Sequence, residues 1–152
     1  TQPHMPSDLG VYDRRLPEIR AAQAALARSA GLHGFCYYHY WFGGRRVLHT
    51  PFDAVLASGQ PDFPFMLCWA NENWTRAWAG GAREVLLAQT YSDEDTIAHA
   101  RHLAPAFADP RYIKVDGRPV FVVYNTDQLL DPRRWSDLFR EVVHGQNTKS
   151  LY

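Results

Sequence analysis

The segment PFMLCWANENW, residues 64–74, runs an apolar strand directly into a polar cluster. Residues 65–69 are all apolar, which is typical of a strand that is covered on both faces of a parallel sheet. Two amides, a carboxylate and an indole follow: Asn71, Glu72, Asn73 and Trp74. Parallel α/β folds concentrate their chemistry at the carboxyl ends of the strands, so this cluster predicts a binding or catalytic position there.

Helices and strands alternate along the rest of the chain. Helices are predicted over residues 17–30, 50–58, 92–108 and 132–143, and core strands near residues 33–40, 64–70 and 119–124. This alternation indicates an α/β fold whose parallel strands are adjacent and in chain order, with the helices outside. Two architectures fit it. One is a partial (β/α)8 TIM-barrel-like domain, which closes with about 250 residues, and the other is a small open doubly wound sheet.

Capping residues predict where the helices begin. Thr50 and Ser92 are the predicted caps of the second and third helices, and Asp131 is the predicted cap of the fourth. Pro105 is expected to kink the third helix or to end its regular part, because proline lacks the N–H that an interior helical position donates.

The segments between these elements also carry signals. The dipeptide Asp-Gly at residues 116–117 predicts a hairpin turn just before the last core strand. Residues 71–91 show no steady period and are predicted to be mostly loop. Residues 145–152 are polar and are predicted to form an irregular tail after a domain segment that spans residues 1–144.

The composition argues against several classes of function. The 152 residues include 16 basic and 16 acidic side chains, a balance that disfavours nucleic acid or an anionic membrane surface as a partner. No stretch of the sequence is long enough to span a bilayer. Cys36 and Cys68 lie in apolar runs and are predicted to be buried thiols, which favours a cytoplasmic location. No strand-to-helix turn is a glycine-rich phosphate loop, and no metal or other cofactor is predicted.

The ends of three neighbouring strands carry side chains suited to carbohydrate. Aromatic rings pack on the C–H faces of a sugar, and amides, carboxylates and imidazoles bond to its hydroxyl groups. Glu72 is the predicted catalytic carboxylate, because walls formed by Trp69 and Trp74 would disfavour its charged form, as a general acid requires. The predicted substrate-binding residues are Tyr38, His39, Tyr40, Trp41, Trp69, Asn71, Asn73, Trp74, Tyr124 and Asn125.

Structural roles compete with each of these assignments. Glu72 could cap a loop or pair with Arg76, and any single aromatic residue of the strands is more often core than site. His39 fits a buried histidine as well as it fits a site residue. His99 and His102 lie three residues apart on a helix with no carboxylate or thiolate ligand nearby, and they are predicted to be surface residues rather than metal ligands.

A second carboxyl group would distinguish the possible reactions. Glycoside hydrolysis usually needs two carboxyl groups, about 5 Å apart for retention or roughly 6.5–9.5 Å apart for inversion. Glu84 and Asp127 are the candidates on the same side of the sheet as Glu72, and we expect neither to reach it at that distance. The residues alone therefore leave glycosyl transfer, hydrolysis and non-catalytic sugar binding open.

Four motifs, in order along the chain, resemble the WbsX family: PSDLGVYD (6–13), GFCYYHYWF (34–42), PFMLCWANENWTRAW (64–78) and DPRYIKVDGRPVFVVY (109–124). Members of that family occur in bacterial O-antigen and other surface-polysaccharide (lipopolysaccharide) gene clusters and are usually labelled glycosyltransferases. Their domain is similar to the barrel of the endo-mannosidase family of glycoside hydrolases. The resemblance implies an enzyme of glycosyl transfer on a carbohydrate substrate, with endo-mannosidase-type hydrolysis as the alternative.

The resemblance also carries residues over. The family's acid motif falls on residues 69–74 and its aromatic strand end on residues 38–41. Two positions depart from the family pattern, since Ala79 stands where the family has Asp and Asn125 stands where it has Arg. The resemblance further implies that residues 1–144 are the middle of a longer barrel domain, which we expect to be inactive alone.

Overall fold

The computed structural model describes residues 9–10, 12–76 and 84–149, with side chains up to residue 145. It is a mixed α/β structure in which a sheet of parallel core strands carries helices on one face. No helix within these ranges combines the length and the apolar character needed to cross a membrane. Ala79, one of the two departures from the family pattern, lies outside the described residues.

The strands are short. They are β1 (Phe35–Phe42), β2 (Arg45–Val47), β3 (Phe65–Trp69), β4 (Trp74–Thr75), β5 (Val85–Leu87), β6 (Lys114–Val115), β7 (Arg118–Pro119) and β8 (Phe121–Val123). The main sheet has the order β2-β1-β3-β8, in which β1, β3 and β8 are parallel and β2 pairs with β1 in the antiparallel sense. The predicted order of the three core strands is confirmed, and β2 is an added edge strand.

The helices are α1 (Pro17–Ser29), α2 (Thr50–Ser58), α3 (Asp93–Ala108) and α4 (Pro132–Lys149). The Ser92 hydroxyl accepts from the backbone N–H of Asp95 at 3.1 Å, and the Asp131 carboxylate accepts from the backbone N–H of Arg134 at 2.9 Å. Both predicted caps are therefore confirmed. These bonds satisfy N–H groups that a first helical turn leaves unpaired.

Several local predictions were wrong. Thr50 is the first residue of α2, and the preceding His49 occupies the cap position without a side-chain bond. The helix α3 continues through Pro105 to Ala108, so Pro105 does not end it, and the alternative of a kink at Pro105 stays a prediction. The helix α4 runs past residue 144 to Lys149, so the predicted irregular tail is helical over residues 145–149.

The described part of the segment between β3 and α3 contains strand pairing that was not predicted. Trp74 of β4 pairs with Leu87 of β5 in an antiparallel ribbon, so this segment is partly strand. The predicted hairpin at residues 116–117 is present, with β6 and β7 on either side of it. Asp116 and Gly117 both adopt positive φ values, of 50° and 73°, as the tight turn requires.

The two faces of the main sheet differ. Odd-numbered residues of β1, β3 and β8 face the helices. They build the main core with α3 and α4, which includes Phe65, Leu67 and, from α3, Leu103, while Phe35 packs against α1. Even-numbered residues face the opposite side, where Cys36 and Tyr38 are exposed. We call this second side the open face. The prediction of two buried thiols is therefore wrong for Cys36, although Cys68 is buried and both thiols are free.

Candidate active site

Four aromatic rings form a continuous row on the open face at the carboxyl ends of the strands. The ring of Tyr38 lies 6.3 Å from that of Tyr124 and 6.3 Å from that of Tyr40. Tyr40 in turn meets Trp74 edge to face, with ring centroids 5.3 Å apart. Tyr38 and Tyr124 are each 57% exposed, so their rings present apolar surface to solvent. Exposed rings of this kind suit the C–H faces of sugars. We call these four residues the aromatic row.

Trp74 is positioned by the β4–β5 ribbon and by a neighbour that the sequence did not single out. Its ring also packs against Phe42, with centroids 5.7 Å apart. Asn73, immediately before it, accepts a hydrogen bond on Oδ1 from the backbone N–H of Gln89 at 2.6 Å. Asn73 therefore holds the ribbon, and its side-chain oxygen is already engaged.

Glu72 lies beside the aromatic row in sequence and is exposed. Its Oε1 accepts a hydrogen bond from the side-chain Nδ2 of Asn125 at 2.8 Å. Arg76, the partner that a purely structural role would give Glu72, instead pairs with Glu84 at 3.4 Å. The carboxylate of Glu72 is thus held by a neutral donor and faces solvent, where it can reach a ligand.

Asn71 links two neighbouring strand ends. It is fully buried, its Nδ2 donates to the backbone oxygen of Asn125 at 2.7 Å, and its Oδ1 accepts from the backbone N–H of Asn125 at 2.9 Å. The backbone oxygen of Asn71 accepts from the hydroxyl of Tyr91 at 2.7 Å. The two bonds to Asn125 tie the end of β3 to the end of β8, and the bond from Tyr91 ties it to the loop before α3.

Tyr91 directly precedes Ser92, the cap of α3, and no sequence motif includes it, so no signal in the sequence marks it as a neighbour of the site. Burial raises the pKa of its phenol, the bond to Asn71 lowers it, and the nearby negative charge of Glu72 raises it. The net effect is a raised pKa for Tyr91, and burial is its main cause. Only the folding of the β5–α3 loop onto the strand end brings Tyr91 to Asn71.

Three predicted site residues lie on the other face of the sheet. His39, Trp41 and Trp69 are buried in the helix-covered core, with exposures of 6%, 5% and 1%. The Trp69 indole donates to the backbone oxygen of Trp41 at 3.2 Å, and the Trp41 indole donates to the Asp95 carboxylate at 2.9 Å. Because Trp69 packs under α4, it does not wall Glu72 as the sequence suggested. Strand alternation separates these three residues from the aromatic row.

His39 and His99 form a buried pair within this core. Their Nε2 atoms are 2.9 Å apart, and the Nδ1 of His99 is buried without a hydrogen-bond partner. A buried N–H left unpaired costs more than a bare ring nitrogen, so we assign the shared proton to Nε2 of His99 and the other proton of the pair to Nδ1 of His39. The prediction that His99 is a surface residue was wrong.

Burial keeps the side chains of His39 and His99 neutral. Burial, with a smaller contribution from His102, lowers the pKa of His39 to about 3. Burial also holds the pKa of His99 well below its usual range, with His39 and His102 adding to the effect. Among the residues that the structure describes, no group of three or more His, Cys, Asp or Glu side chains has a metal-binding arrangement.

A cavity of about 670 Å³ lies between the β6–β7 hairpin and α4. Its walls are mainly aromatic and aliphatic and include Phe107, Phe121, Trp135 and Phe139. None of the predicted site residues lines it. The candidate site is therefore the open strand end and not this cavity.

The whole chain, residues 1–152, matches the family described as Glycosyltransferase WbsX. The chain belongs to this family. It is also similar to two curated proteins, each called uncharacterized protein WxcX, from Xanthomonas campestris pv. campestris strains B100 and ATCC 33913. Each is 40% identical over 149 residues, which cover 95% of this chain and 21% of the relative. The chain thus spans about a fifth of the length of these relatives. No solved structure matches it.

Membership of the WbsX family confirms the resemblance that the four motifs indicated, and the family description names a glycosyltransferase. The two WxcX relatives carry no assigned activity in their names. The reaction and its residues must therefore be inferred from the side chains at the strand ends.

Proposed function

We propose that this chain contributes the acid-bearing strand ends of a bacterial, cytoplasmic enzyme that transfers a glycosyl group during surface-polysaccharide (O-antigen) synthesis. The observation that carries the proposal is the row of four aromatic rings on the open face, with the Glu72–Asn125 pair at the same strand ends. A sugar ring stacked on the row would place its hydroxyl groups and glycosidic oxygen beside that carboxylate.

Glu72 acts in this proposal as the group that moves a proton. In glycosyl transfer, the acceptor hydroxyl gives its proton to the carboxylate while its oxygen bonds to the anomeric carbon of the donor sugar. The bond between that carbon and the leaving group breaks at the same centre, and the leaving group departs with the electron pair. Water in place of the acceptor would give hydrolysis by the same carboxylate.

We propose further that the sheet is part of a (β/α)8 barrel. Three adjacent parallel strands, with helices on one face and polar and aromatic side chains at their carboxyl ends, support this proposal. The open face would then be the barrel interior, and the aromatic row would lie at its mouth.

The test is product analysis with the longest natural chain that contains these residues. The protein is incubated with end-labelled neutral oligosaccharides, with and without sugar nucleotides. Longer products with sugar nucleotide support transfer, shorter products without it support hydrolysis, and binding without products supports a sugar-binding module. Glu72→Gln keeps the shape of the side chain but cannot exchange the proton, so turnover should fall at least about a hundredfold. Full turnover in this variant would refute the proposal.

A further inference from the structure

We propose that Asn125 is the positioning residue of Glu72, and that it holds the carboxylate with a neutral donor whose direction the fold fixes. This inference rests on the proposed function of Glu72. It concerns the end of β8, whereas Glu72 follows β3, so it links two neighbouring strand ends.

The side-chain amide of Asn125 has only one workable orientation. Its Oδ1 accepts from the backbone N–H of Asp127 at 3.1 Å and so caps the short 3-10 helix Thr126–Gln128. Its Nδ2 then points at Oε1 of Glu72, 2.8 Å away. A flipped amide would set its oxygen against the Glu72 carboxylate and its NH2 group against the N–H of Asp127, and both contacts would be repulsive.

The backbone of Asn125 is fixed as firmly as its side chain. Its N–H and its carbonyl are both bonded to the fully buried side chain of Asn71, at 2.9 and 2.7 Å. The next residue toward the N-terminus, Tyr124, donates its N–H to the backbone oxygen of Trp69 at 3.0 Å. Asn125 therefore cannot follow Glu72 if the glutamate moves, which is the property of a positioning group.

The donor that Asn125 supplies is uncharged. In the described part of the chain, no Lys or Arg side chain forms an ion pair with Glu72. An arginine at this position would add a positive charge beside the carboxylate, whereas the amide orients it through one neutral hydrogen bond. Asn125 therefore orients Glu72 without pairing it with a positive charge.

Asn125→Asp is the decisive variant. It keeps the shape of the side chain and the oxygen that caps residues 126–128, but it replaces the donor toward Glu72 with an anion. We expect at least a tenfold loss of turnover, and a pH–rate profile moved to higher pH because two facing carboxylates resist double ionisation. The thermal midpoint should stay close to that of the wild type. Gln128→Glu, which adds the same charge at an exposed position of the same 3-10 helix, should change neither turnover nor profile.

A second measurement does not depend on turnover. In wild-type protein labelled with nitrogen-15, the Asn125 side-chain NH2 signal should shift as pH falls through the range in which a carboxylate gains a proton. Glu72→Gln should abolish this shift, and Asp127→Asn should leave it in place. An Asn125 signal with the same pH dependence in Glu72→Gln would overturn the inference.

The two proposals fail in different ways. Full turnover in Glu72→Gln refutes the proposed function. Loss of turnover in Glu72→Gln together with wild-type turnover and profile in Asn125→Asp refutes the positioning role alone.

Discussion

Asn71 and Asn125 lie at the ends of two neighbouring parallel strands, and the side-chain amide of Asn71 forms hydrogen bonds with both the backbone N–H and the backbone carbonyl of Asn125. The Asn71 side chain is fully buried, and its amide imitates the backbone of one more residue pair in the sheet. The strand ladder of β3 and β8 is thereby extended beyond Trp69 and Val123. Glu72 directly follows Asn71 in the chain. Its backbone is therefore attached to this extended part of the sheet.

Asn71→Asp should strongly destabilise the protein. The variant keeps the acceptor for the N–H of Asn125 but sets a carboxylate oxygen against the Asn125 carbonyl in a buried position. A lost bond plus an unpaired buried group costs about 3 kcal/mol. For a chain of this size the thermal midpoint should fall by roughly 6–12 °C, measured by circular dichroism.

Gln128→Glu is the control for that variant, because it adds the same charge at an exposed position. It should leave the midpoint within about 1–2 °C of the wild type, as is usual for surface substitutions. An Asn71→Asp protein as stable as this control would show that the bond pair contributes little.

Trp74→Ala should weaken carbohydrate binding. The indole is the end of the aromatic row and packs against Tyr40 at 5.3 Å, so its removal takes away one stacking surface and loosens the next. We expect affinity for neutral oligosaccharides to fall at least about tenfold, or roughly 1.4 kcal/mol, measured by calorimetry. Tyr12→Ala, at an exposed tyrosine outside the row, should bind as the wild type does. Equal losses in the two variants would count against the row.

The buried histidine pair predicts a loss of stability in mild acid. His39 is neutral in the folded protein, with a pKa of about 3, against about 6.5 in the unfolded chain. Between these values the unfolded chain binds more protons, so the free energy of unfolding falls as pH drops from about 6.5 toward 3. The slope should reach about 1.4 kcal/mol per pH unit for each histidine, measured by denaturation at several pH values.

Substitutions can assign that slope to the pair. His39→Gln should flatten the dependence of stability on pH by one titrating group, and the double variant with His99→Gln should flatten it further. His33→Gln, at an exposed histidine, should leave the slope unchanged. An unchanged slope in the double variant would place the acid sensitivity elsewhere.

Neither Glu84 nor Asp127 is expected to act as a second catalytic acid. Glu84 is paired with Arg76, and Asp127 lies in the 3-10 helix that Asn125 caps. Glu84→Gln and Asp127→Asn should each keep turnover within about threefold of the wild type, compared with a hundredfold loss in Glu72→Gln. A hundredfold loss in either variant would identify a complete pair of acids and favour hydrolysis.

Much of the fold could be predicted from the sequence because its signals are local. Apolar runs such as residues 65–69, the caps Ser92 and Asp131, and the Asp-Gly turn at 116–117 each act within a few residues. The wrong predictions arose because these local signals carry no information about tertiary packing. Pro105 is tolerated inside α3 because the helix is held by tertiary packing, which outweighs one missing backbone bond.

The sequence by itself determined the elements, their order and the strand ends at which polar and aromatic residues collect. Only the tertiary structure decided which face of each strand the helices cover. Successive residues of β1 point to opposite sides, so Tyr38 and Tyr40 reach the open face while His39 and Trp41 pack under the helices. The side on which α3 and α4 pack is set by contacts between distant residues, and the pairing of Asn125 with Glu72 arises in the same way. No local pattern in the chain contains that information.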